Sequence, residues 1–98
     1  MAVFQIKAPS SRQGVAQVVA IGAASAAVTN PFGTETFQIL LVATSACHVR
    51  IDSGTPTAVA TDTLLPANFP LYFTVTPGQK VAVIQDTAAG NLSVTELS

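Results

Sequence analysis

Residues Tyr72 to Asp86 read YFTVTPGQKVAVIQD. Two runs of β-branched and aromatic residues flank a Pro77-Gly78 step. Ahead of it, Leu71, Phe73 and Val75 fall on one side of an extended chain, and Tyr72, Thr74 and Thr76 on the other. Beyond it, Val81 and Val83 share a side opposite Ala82 and Ile84. A period of two is the signature of a strand with one face in a core. Pro77 presets φ for the first central position of a type II turn, and Gly78 accepts the positive φ that the second requires. The chain therefore runs in along Leu71–Thr76, turns, and runs back along Lys80–Gln85. Nothing in this stretch has a catalytic pattern.

The same grammar recurs on both sides. Val3, Gln5 and Lys7 alternate with Phe4 and Ile6, a short first strand that Ala8-Pro9-Ser10-Ser11 breaks. A strand follows over Val15–Ile21. Gly22–Ala27 fits helix or strand, and Asn30-Pro31-Phe32-Gly33 reads as a turn. Thr36–Thr44, TFQILLVAT, sets Phe37, Ile39, Leu41 and Ala43 against Gln38, Leu40, Val42 and Thr44. Both sides carry large apolar groups, as in a central strand or one that a partner covers. Ala46–Asp52 turns Cys47, Val49 and Ile51 one way and His48, Arg50 and Asp52 the other. Ser53-Gly54-Thr55-Pro56 ends it. Thr57–Leu65 is a weaker strand, closed by Leu65-Pro66-Ala67-Asn68. Gly90-Asn91 reads as a turn into a last strand, Asn91–Leu97, with Leu92 and Val94 inward.

Short strands bounded by Gly, Pro or Asn predict an all-β fold: an antiparallel β-sandwich or small β-barrel, jelly-roll-like. The 98 residues suffice for a single β domain over 1–98, with 1–11 as an N-terminal arm. The expected core is Phe37, Ile39, Leu41, Cys47, Val49, Ile51, Phe73, Val75, Val81 and Val83.

Charge is the strongest global signal. Only 9% of residues are charged, against about 25% in typical domains. Mean hydropathy is +0.51. Small proteins stay apart in water largely by surface charge, so a surface this neutral either relies on Thr, Ser, Asn and Gln, as in a Thr-rich monomer, or is covered by other subunits, which is the expectation. Four scattered basic residues make no phosphate-tracking patch, which argues against nucleic acid as a partner. No basic amphipathic helix points to a membrane. Gly14–Thr29 has no Leu and is interrupted by Gln17, so it reads as strand rather than as a leader or a span.

Catalytic patterns are weak. Cys47 and His48 are neighbours on a strand and point to opposite faces, out of hydrogen-bond reach. One Cys and one His make no metal set and no cofactor site. Asp52-Ser53-Gly54 resembles the motif of retroviral-type aspartic proteases, which would make Asp52 the catalytic carboxylate. Arg50 sits where that family is apolar, and Asp-Ser-Gly is also an ordinary strand ending. The expectation is therefore a protein without catalytic, cofactor or metal residues. The expected subunit contacts are Phe4, Leu40, Val42, His48 and Arg50. A carbohydrate-binding attachment module is a further alternative, weakened by the lack of Trp and the single Tyr.

The segment Asp62–Leu97, DTLLPANFPLYFTVTPGQKVAVIQDTAAGNLSVTEL, resembles small structural proteins of tailed-bacteriophage virions. Its features are a Leu-Pro-Ala-Asn turn before Tyr-Phe, then Val-x-Pro-Gly-x-Lys-Val-Ala-Val-Ile, then Gly-x-Leu-x-Val-Thr-Glu. The resemblance implies a virion protein and no enzyme. It does not fix the position in the particle; the expectation is a head decoration (cement) protein on the outside of the major capsid lattice, a homo-oligomer for which the resemblance makes a trimer plausible. A tail or head–tail junction component is the alternative.

Overall fold

The computed structural model describes residues 12–97. The first strand and the arm expected over 1–11, including Phe4, lie outside the described residues. The elements are β1 (Gln13–Ile21), β2 (Ala26–Ala27), β3 (Gln38–Ala43), β4 (Cys47–Asp52), β5 (Thr63–Leu65), β6 (Leu71–Thr74), β7 (Lys80–Gln85) and β8 (Gly90–Leu97). They form two antiparallel four-stranded sheets, ordered β1-β8-β3-β6 and β2-β7-β4-β5. Pairing runs β1 with β8, β2 with β7, β3 with β6 and β4 with β5. That is one long hairpin of four strand pairs wrapped on itself, the jelly roll.

Each sheet turns one face inward. Val19, Ile21, Ile39, Leu41, Ala43, Leu92 and Val94 come from the first sheet, and Cys47, Val49, Leu65, Val81 and Val83 from the second. Ile51, Leu71 and Phe73 pack against this cluster while only partly buried. Val75 is buried just past the end of β6.

The Pro77-Gly78 turn has the expected geometry. Gly78 has φ +89°, and the Gln79 N–H donates to the Thr76 carbonyl at 3.1 Å. Its role differs from a simple hairpin. β6 pairs with β3, while β7 pairs with β2 and β4, so the turn carries the chain from one sheet to the other. It is held from outside by Phe32, whose carbonyl accepts from the Gly78 N–H and whose own N–H donates to the Gln79 carbonyl, both at 2.9 Å. An added Cβ at Gly78 meets nothing within 4 Å. Gly78→Val therefore costs only the left-handed backbone penalty, about 1–2 kcal/mol. Chemical denaturation should show the midpoint falling with an unchanged slope.

Several boundaries move. Phe37 is 60% exposed rather than in the core. Thr36 takes the inward position because its hydroxyl donates to the Glu96 carboxylate at 2.5 Å, and Phe37 is turned out. The Asn30–Gly33 turn falls later, closed by the Thr36 N–H on the Gly33 carbonyl, and Phe32 joins the core. Of Gly22–Ala27 only Ala26–Ala27 is strand, and of Thr57–Leu65 only Thr63–Leu65. Asp62 causes the latter: its carboxylate accepts from the Val59 N–H at 2.9 Å and its own N–H donates to the Val59 carbonyl, which makes a turn. Gly90 is the first residue of β8 rather than a turn residue. A Cβ there would lie 2.6 Å from the Thr44 hydroxyl, so close approach, not turn geometry, accounts for the glycine.

Candidate interaction surface

The sandwich has two outer faces, and they differ in kind. On the first sheet, register sets Ala16, Thr95, Leu40 and Tyr72 in one cross-strand row, and Val18, Ser93 and Val42 in the next. Gln38 and Thr74 face each other beyond. None of these side chains is charged. Val18 is 68% and Tyr72 62% exposed, and Leu40 and Val42 are half-buried by their neighbours. A cross-strand surface of Val, Leu, Tyr and Ala, with the hydroxyls of Thr95 and Ser93 between them, has low desolvation cost, and exposed apolar groups on it are a feature that marks interaction sites.

The second sheet's outer face holds much of the charge. His48 lies across from Leu64 and Ile84, and Asp52 across from Lys80. His48 Nε2 is 2.9 Å from Asp86 Oδ1, and Nδ1 is 3.0 Å from the Asp62 carbonyl. The Arg50 guanidinium donates to Asp62 Oδ1 at 3.2 Å and lies 3.9 Å from Asp52. These groups largely satisfy one another. The cluster ties the Val59–Asp62 turn and the end of β7 to β4.

The expected contact residues are thus split. Leu40 and Val42 share the uncharged face; His48 and Arg50 are on the opposite side of the molecule, so the four do not form one surface. Val18 and Tyr72 complete the uncharged face. Their signal was present as the non-core positions of alternating strands, and it needed the register to bring them beside Leu40 and Val42.

Both His48 nitrogens meet oxygen acceptors, which only the doubly protonated ring can satisfy with two N–H donors. The hydrogen bond to Asp86, then that to the Asp62 carbonyl, hold its pKa above the ordinary 6.5. A raised folded-state pKa contributes stability that is full below about 6.5 and is lost as pH rises through the folded value. Thermal stability should therefore fall from mildly acidic to mildly alkaline pH, and His48→Gln should flatten that particular dependence. Equal slopes in melts of the two proteins would contradict it.

Cys47 is fully buried, and desolvation pushes its thiol up to about 11. It faces inward while His48 faces outward, so they form no nucleophile and base. Asp52 is exposed, and its carboxylate accepts from the Ser53 N–H at 2.8 Å, which caps the turn at Gly54. Among the described residues no group of three or more His, Cys, Asp or Glu could hold a metal ion. No protein-family model, curated protein or solved structure significantly matches the chain.

Proposed function

We propose that this chain is a non-catalytic structural protein of a bacteriophage virion, a decoration protein that docks on the major capsid lattice through the outer face of β1-β8-β3-β6. The observation that carries this reading is the asymmetry of the sandwich. One outer face is uncharged and partly apolar across its strands, while the other holds a self-paired charge cluster. The phage-like Asp62–Leu97 segment and the low total charge support it. The jelly roll recurs in viral capsid and lectin domains, which is support by analogy of fold alone. The mechanism is mechanical: each copy buries apolar surface across neighbouring lattice subunits, and rupture of the shell must break those contacts as well. Docking at the tail or the head–tail junction would use the same face.

The test is to mix the purified chain with particles stripped of it. Co-sedimentation and a higher rupture temperature of the shells are expected. A chain that stays in the supernatant, or that hydrolyses peptides in a manner abolished by Asp52→Asn, would overturn the reading.

A further inference from the structure

We propose that the outer edge of β1 pairs antiparallel with β1 of a second copy of this chain, about a two-fold axis at Val18. The four sheet edges are not alike. β2, β5 and β6 are two, three and four residues long, and short edges are a common protection against strand addition. β1 is nine residues long and has neither charge nor proline. Its only irregularity is a bulge between Gln13 and Ala16 at one end. From Ala16 to Ile21 it pairs regularly with β8, and among the described residues it is an edge strand of the sheet. Alternate residues along such an edge direct N–H and C=O groups away from the sheet, and another extended strand is what satisfies the whole row in register.

A second β1 fits for three reasons. A two-fold contact opposes a patch to itself, and an uncharged strand does so without like-charge repulsion. The outward side chains at the middle of the strand, Ala16, Val18 and Ala20, are small enough for close approach. Centring the axis at Val18 sets Val18 opposite its own copy and Ala16 opposite Ala20, so the outward side chains of both copies share one face. The product is an eight-stranded sheet in which the uncharged faces of two copies run on as one. It replaces the trimer implied by the phage resemblance with a dimer, and it holds independently of what that face docks on.

Sedimentation equilibrium of the full chain, without shells, is the test. Wild type should pass from monomer to dimer in the micromolar range. Val18→Lys and Val18→Glu should each weaken the dimer at least about tenfold, through like charge across the axis. Mixing the two variants should restore a one-to-one heterodimer. Amide exchange of wild type should slow along β1 above the dimerisation concentration, which gives a readout free of any folding defect in the variants. A wild type that is monomeric throughout, dimers indifferent to Val18→Lys, no recovery in the mixture, or unchanged β1 exchange would each overturn the proposal. So would dimerisation gained only on removing Met1–Ser11, since the chain's own N-terminal residues would then hold the edge. Shell binding is read separately, so either idea can fail alone.

Discussion

Leu41→Ala should lower folding stability by about 2–5 kcal/mol. Leu41 is fully buried on β3, the strand flanked by β8 and β6, and its cross-strand neighbours are Leu71 and Val94. Truncation removes hydrophobic transfer energy and leaves a cavity where two sheets meet, which the surrounding packing fills only in part. For a domain of this size the melting temperature should fall by roughly 4–8 °C for each kcal/mol lost. Phe37→Ala is the matched comparison. Phe37 lies on the same side of the period-two pattern yet is turned outward, so its truncation should cost less than about 1 kcal/mol. Equal costs at the two positions, measured by denaturation, would mean that the Thr36–Glu96 contact does not set the inward direction at the start of β3.

The second large effect concerns binding. Leu40→Asp with Val42→Asp should reduce the proposed attachment to the capsid lattice by about 100-fold or more, since central apolar contacts contribute roughly 2 kcal/mol or more each. The fold should survive, because both side chains point away from the core and added carboxylates face water in the free protein. Arg50→Ala is the control on the opposite face. It removes the ion pairs to Asp62 and Asp52 and should leave attachment within about threefold. Titrations of shells with the three proteins measure both. An Arg50→Ala defect as large as that of the double variant would move the docking surface to the other sheet.

The strands were legible wherever alternation was uninterrupted. Ile39, Leu41, Cys47, Val49, Val81 and Val83 are all buried as the period-two pattern demands. The pattern failed where a polar side chain redirected the backbone. Glu96 is buried and its carboxylate accepts from both the Gly33 N–H at 3.0 Å and the Thr36 hydroxyl. That contact spans 60 residues, so nothing local announces it, and it turned Phe37 outward. Asp62 acted likewise on Thr57–Asp62. Sheet membership was equally hidden: the Pro77-Gly78 turn is the same locally whether its two strands pair or part. The candidate surface was half legible. Leu40 and Val42 stood out because both sides of their strand are apolar, but only the register places Val18 and Tyr72 beside them and His48 and Arg50 on the far side.

Hydroxyl-radical footprinting of free and particle-bound protein locates the proposed docking surface on the uncharged face of the first sheet. Tyr72, Leu40 and Val18 should lose reactivity on binding, while Leu64, which is 51% exposed on the opposite sheet, should keep it. Protection of Leu64 with Tyr72 and Leu40 unchanged would place docking on the other sheet.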